Sequence, residues 1–188
     1  MLTVINGPMF SGKTSRLISL CAANVIAGNS VTVFKPSKDD RYELNNIVSH
    51  SLEKFAAYPI NNAKDAYPIL ERRDGSDIIC FDEAQFFDEG LIDVVTSFYG
   101  TLTKEIICAG LSQDSNGKPF GSMPYLLAVA DNIINLRAVC SRCRSVDEAT
   151  RTFRKIHNNE QVLVGGIDKY EANCFQCWWY WRFAQNPI

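Results

Sequence analysis

Gly7-Pro8-Met9-Phe10-Ser11-Gly12-Lys13-Thr14 is the stretch that decides the fold. It fits G-x-x-x-x-G-K-[ST], a loop whose glycines let backbone N–H groups turn toward phosphate oxygens at the start of a helix. Gly7 to Thr14 is therefore the expected ATP-binding segment, with Lys13 reaching the β- and γ-phosphates and the Thr14 hydroxyl on Mg²⁺. The flanks supply the context such a loop requires. Leu2 to Asn6 is a short apolar run, partly β-branched, that reads as a buried strand. From Lys13, Leu17, Leu20, Cys21 and Val25 recur near the helical period, and Gly28-Asn29 forms a helix stop. Val31 to Phe34 is the next strand. Strand, helix, strand in this order is a βαβ unit and implies a parallel sheet in an α/β protein.

Farther along, Ile78 to Phe81 is a third buried strand, ending in Asp82-Glu83. An Asp at that position reaches the Mg²⁺ from the side opposite the loop, and a neighbouring Glu can act as a base toward an acceptor hydroxyl. Gly90 to Tyr99 has a helical pattern, Glu105 to Ala109 reads as a fourth strand and Ile133 to Val139 as a fifth. Leu111 to Pro124 reads as a loop. Pro36 to about Asp74 is polar and less regular, and is expected to hold a mobile loop and a short helix.

The chain has 188 residues, with 19 Lys+Arg against 21 Asp+Glu and a net charge of -2, which argues against a protein that works by neutralising many phosphates of a nucleic acid. No apolar run approaches the roughly 18 residues that span a bilayer. The first basic residue is Lys13 and no export signal is visible, so the expectation is a cytoplasmic protein without membrane or nucleic-acid partners. Of seven cysteines, Cys21, Cys80 and Cys108 lie in apolar segments and read as core residues. Cys140-x-x-Cys143 and Cys174-x-x-Cys177 are two knuckles separated by 30 residues, the thiolate set of a structural tetrahedral Zn²⁺ with no open position. The change in character places a boundary near residue 139, giving an ATP-binding domain over 1–139 and a zinc-binding domain over 140–188.

Arg41, Arg151 and Arg154 each have two readings, a solvated surface residue or a cation that steadies phosphate charge. Phe86-Phe87 either pack in the core or line an acceptor pocket. Trp178, Trp179 and Trp181, beside a cysteine knuckle in an acidic protein, favour packing or an oligomer contact over base stacking.

The order of these motifs resembles the type II thymidine kinases, the class of the human cytosolic enzyme. The resemblance rests on Gly7 to Thr14, on Asp82-Glu83-Ala84-Gln85-Phe86-Phe87, on Lys118-Pro119-Phe120-Gly121, on Ala149-x-x-Thr152-x-Arg154, and on Gly165-Gly166-x-Asp168-Lys169-Tyr170 followed by Cys174. It implies a RecA-like P-loop sheet flanked by helices and a small zinc-binding domain with a lasso loop. It also implies ATP-dependent phosphorylation of the thymidine 5′-hydroxyl, with deoxyuridine as a second acceptor. Glu83 would be the general base, and Asp82 with Thr14 would hold Mg²⁺. Lys13, Arg41 and Arg154 would offset phosphate charge. Met9, Phe86, Leu111, Phe120, Thr152, Leu163, Gly165 and Tyr170 would surround the nucleoside. Members of the family are usually homotetramers, often inhibited by dTTP.

One departure is visible. Where the family commonly carries an aromatic residue that packs on the base, this chain has Asp114-Ser115. Either another aromatic such as Phe120 or Tyr125 compensates, or base affinity and selectivity are altered. Two rival readings are a nucleic-acid-dependent P-loop ATPase, because Asp-Glu-Ala-Gln also resembles a helicase box, and a zinc-bearing binding module. The first generally needs a second nucleotide-binding core, and acidity weighs against a nucleic-acid partner for the second.

Overall fold

The computed structural model describes residues 1–38, 45–49, 51–72, 75–99, 103–156 and 165–184. Its elements in chain order begin with β1 (Leu2–Asn6), α1 (Lys13–Ile26), β2 (Val31–Pro36), β3 (Asn46–Val48), β4 (Lys54–Ala56) and β5 (Tyr58–Ile60). They continue with α2 (Ala66–Glu71), β6 (Ile78–Phe81), α3 (Gly90–Phe98), β7 (Glu105–Gly110), α4 (Met123–Val129) and β8 (Asn132–Asn135). Last come β9 (Arg151–Arg154), β10 (Tyr170–Asn173) and α5 (Phe175–Trp179), which runs into a π-helical turn over Tyr180–Ala184.

Six strands form one sheet in the order β5-β2-β6-β7-β1-β8, and every pairing is parallel. This is the α/β architecture that the opening βαβ unit implies. The central strands β1, β2, β6 and β7 are buried on both faces and their side chains alternate between two cores. Val4, Phe34, Ile79, Phe81, Ile106 and Cys108 face one way, toward Leu70, Leu91, Val95 and Leu126 of α2, α3 and α4. Ile5, Val33, Cys80, Ile107 and Ala109 face the other way, onto Leu17, Ile18 and Cys21 of α1. Cys21, Cys80 and Cys108 are fully buried, and the Sγ atoms of Cys21 and Cys80 lie 3.6 Å apart.

The stop signal at Gly28-Asn29 acts as read. Gly28 N–H donates to Val25 O and Asn29 N–H to Asn24 O, both at 3.0 Å, which satisfies the last carbonyls of α1. The fifth strand is shorter than its apolar pattern, ending at Asn135 instead of Val139, because Leu136 N–H makes the last bond to β1, at Asn6 O, before the chain turns away. The region after Pro36 is more regular than its polarity suggests. It contains the β3–β4 hairpin and β5, whose edge position tolerates Pro59. The chain then turns away from the sheet at residue 136. Ala138 and Ala149 exchange backbone hydrogen bonds, and β9 pairs antiparallel with β10 to carry the cysteine knuckles.

Candidate active site

The loops that leave the C-terminal ends of β1, β6 and β7 converge on one cavity of about 990 Å³, the position where parallel α/β sheets bind ligands. Gly12 enters the left-handed region at φ +82° as the cap of α1, and Phe10 does so at φ +66°. Lys13 Nζ donates to Pro8 O at 2.8 Å, and the Ser11 hydroxyl donates to the same carbonyl at 2.8 Å. These bonds fold the loop on itself with Lys13 largely buried at the cavity wall. Met9, Phe10, Gly12, Lys13 and Thr14 line the cavity, whereas Gly7 and Pro8 face a smaller recess of about 270 Å³ and Ser11 lines neither.

At the end of the loop, the Thr14 hydroxyl donates to Asp82 Oδ2 at 3.2 Å. A hydroxyl and a carboxylate meeting at a helix start give the oxygen donors that suit Mg²⁺. Glu83 follows at φ +50°, a left-handed conformation that non-glycine residues seldom hold outside functional sites. Its Oε2 accepts a 2.5 Å hydrogen bond from Gln85 Nε2, and Gln85 Oε1 accepts one from Leu111 N–H at 2.9 Å. Gln85 thus ties the acidic pair to the loop after β7. The sequence reading gave Gln85 no role, although it stands inside the quoted Asp82 to Phe87 motif.

The other wall is apolar. Met9, Leu111, Phe120 and Tyr170 form one buried cluster, with Phe10 and Phe86 packed against it. Phe86 and Phe120 meet edge to face with ring centroids 5.5 Å apart. Phe86 therefore faces the cavity while Phe87 is buried in the core against Phe81. Of the two aromatic residues considered as compensating for Ser115, Phe120 lines the cavity. Tyr125 does not: it stands on α4, 65% exposed.

The wall is closed by the C-terminal segment. Thr152 on β9 accepts a 3.0 Å hydrogen bond from Met9 N–H through its hydroxyl, which joins that segment to the phosphate loop. Arg154, Gly165 and Tyr170 also line the cavity, and the Arg154 guanidinium lies 5.5 Å from the Tyr170 ring centroid. Arg41 and Leu163 lie outside the described residues. Lys35, at the end of β2, and Lys38 line the cavity as well. Sequence reading missed Lys35 because a lysine in an apolar strand carries no motif. Its near-complete burial beside a phosphate loop becomes visible only once β2 is placed.

The four sulfur atoms of Cys140, Cys143, Cys174 and Cys177 lie within 4.8 Å of one another. Tetrahedral Zn²⁺ with Zn–S near 2.3 Å requires sulfur separations of about 3.8 Å. The Cys143–Cys174 separation is 3.9 Å, so the donor set fits the ion. Hydrogen bonds from the Ser145 hydroxyl and backbone lower Cys143 to about 6, while burial raises Cys174 and pushes Cys177 up to about 12. Cys177 N–H donates to Cys174 Sγ at 3.5 Å, so the knuckle also caps α5. Among the described residues, no helix is long and apolar enough to cross a membrane.

Comparison with known proteins identifies the family. A family model described as thymidine kinase matches residues 1–178. A thymidine kinase of Bacteroides thetaiotaomicron is 40% identical over 177 residues, which is 94% of this chain and 86% of that protein. With its motifs gathered on one cavity and the match running through nearly the whole sequence, the chain belongs to the thymidine kinase family and is a phosphotransferase with an alcohol group as acceptor.

Proposed function

We propose that the chain transfers the γ-phosphoryl group of ATP to the 5′-hydroxyl of thymidine, and to that of deoxyuridine, with Glu83 at the junction of a phosphate half and a nucleoside half of one cavity. The observation that carries this reading is the shared lining: Lys13, Thr14 and Asp82 stand in the same cavity as Leu111, Phe120 and Tyr170, with Glu83 among them.

The Gly7 to Thr14 loop cradles the β- and γ-phosphates, Lys13 offsets their charge, and Thr14 with Asp82 holds Mg²⁺. When bound there, the ion would supply Lewis-acid stabilisation of the charge that builds on the departing diphosphate. Arg154, together with Arg41, adds positive charge where it builds in the loose transition state. The acceptor oxygen attacks the γ-phosphorus in line, the bond to the β,γ-bridging oxygen breaks, and Glu83 accepts the hydroxyl proton as ADP departs. The Gln85 hydrogen bond fixes the Glu83 carboxylate, so the base is oriented before substrate arrives. Met9, Phe86, Leu111, Phe120, Thr152, Leu163, Gly165 and Tyr170 enclose the nucleoside, Phe120 serving in the place of the missing aromatic at Ser115. Zn²⁺ on the four cysteines supplies folding energy to the segment carrying β9 and β10. We assign residues 1–139 to ATP binding and 140–188 to the zinc-bearing unit, in a cytoplasmic homotetramer open to dTTP as an end-product inhibitor.

The test is to incubate the purified protein with Mg-ATP and each common deoxynucleoside separately and to measure the monophosphate formed. The expected result is turnover of thymidine and deoxyuridine, with deoxyadenosine and deoxyguanosine inert. No nucleoside phosphorylation, with ATP hydrolysed only when DNA or RNA is added, overturns the reading in favour of a nucleic-acid-dependent ATPase.

A further inference from the structure

The loop after β7 reaches the cavity with one side and the cysteine knuckle with the other. On the cavity side stand Leu111, Asp114, Ser115 and Phe120. Its tip is folded by Asp114, whose Oδ1 accepts from Asn116 N–H at 2.8 Å and from Lys118 N–H at 2.9 Å. Three consecutive tip residues are then held from behind. Trp178 Nε1–H donates to Ser115 O at 3.2 Å in a buried bond. Arg182 Nη1 donates to Asn116 Oδ1 at 2.6 Å. Gly117, at φ +75°, lies so close to the Trp178 ring that an added Cβ would stand 3.0 Å from it. Trp178 is 6% exposed, whereas its neighbour Trp179 is 52% exposed.

Trp178 directly follows the ligand-set residue Cys177, and its N–H donates to Cys174 O at 2.9 Å. The indole therefore springs from the cysteine knuckle and ends on the loop that walls the cavity. We infer that Trp178, assisted by Arg182, is a positioning residue for the phosphoryl acceptor: it latches the 111–120 loop to the cysteine knuckle and so sets the shape of the nucleoside wall. The inference rests on the reading of that wall as the thymidine side. Ser115 contributes its backbone carbonyl to the latch, and Phe120, held on the same loop, presents the ring.

Steady-state kinetics on the full chain test this, with thymidine and ATP varied in turn and bound metal measured on each sample. Trp178→Phe keeps an aromatic side chain but removes the Nε1–H donor and the Cζ2–Cη2 edge that lies against Gly117; Arg182→Ala removes the second tether. In each, the thymidine KM is expected to rise about fivefold, the weight of one ordinary hydrogen bond, while kcat and the ATP KM stay within about twofold and bound metal equals wild type. Trp178→Ala, which also removes the packing, extends the effect if it folds, but the two conservative variants carry the test. An unchanged thymidine KM in both, in an enzyme that phosphorylates thymidine, overturns the latch alone. So does an equal rise in the ATP KM with loss of metal, because that is general loosening. A wild-type protein that phosphorylates no nucleoside overturns the acceptor reading, and the latch with it.

Discussion

The two halves of the cavity are built in opposite ways. The phosphate half is local at its centre, with Asp82 joining Thr14 from 68 positions away. Eight consecutive residues supply the loop, and Ser11 and Lys13 fold it through bonds to Pro8, three and five residues away. The nucleoside half is assembled. Met9, Leu111, Phe120, Thr152 and Tyr170 come from four segments, Leu111 and Phe120 sharing the loop after β7, and meet through contacts such as Met9 N–H to the Thr152 hydroxyl, across 143 positions. The difference follows from what each half is proposed to recognise. Phosphate is a charge, and a short run of oriented backbone donors binds it wherever a strand meets a helix. A nucleoside is a shape, and enclosing it needs walls from several directions. Phe10 belongs to both: it sits in the loop yet packs on the nucleoside cluster and on the core around the cysteines.

Substitutions that act on one half and spare the other can break this comparison. The largest effect belongs at the junction: Glu83→Gln is expected to lower kcat by about 10²–10⁴-fold, read in a coupled ADP assay. Lys13→Ala should lower kcat by about 10²–10³-fold and weaken ATP, with thymidine binding retained; equal loss of both ligands would mean that the halves are not separable. Phe120→Ala, which removes the edge-to-face partner of Phe86, should raise the thymidine KM by about tenfold and leave the ATP KM alone. The smallest effect belongs far from both halves. Asp77, just before β6 at the end of the strands opposite the cavity, is held down at about 2 by hydrogen bonds from the Ser30 backbone and then from Lys104. A carboxylate lowered in the folded state stabilises above its unfolded value of 3.8, and that contribution is lost as pH falls toward 2. Asp77→Asn should therefore lower the thermal midpoint slightly at neutral pH, with the gap from wild type closing between pH 4 and 2 and the kinetic constants unchanged.

The same contrast explains what was legible in the sequence. The Gly7 to Thr14 loop, the strand before it and α1 could be read because motif, periodicity and stop signal lie within one short stretch. The acidic pair could be read because Ile78 to Phe81 is uninterrupted and apolar. The strand β5 was hidden, since a three-residue edge strand containing Pro59 shows no period. The helix α4 was hidden too, because its seven residues follow directly on a loop rich in Gly and Ser. Lys35 and Gln85 escaped for a related reason: each acts through a neighbour that only the folded sheet supplies. Trp178 reads from sequence as packing or an oligomer contact; it packs, but its hydrogen bond to Ser115, 63 positions away, has no sequence signature.

The central claim is that Glu83 performs chemistry at a junction whose two halves bind their ligands without it. The most direct measurement titrates thymidine and ATP separately into Glu83→Gln by calorimetry and follows turnover on the same sample. Dissociation constants within about twofold of wild type, together with the loss of nearly all turnover, are the predicted result. Near-normal turnover, or the loss of thymidine binding in step with turnover, would contradict it.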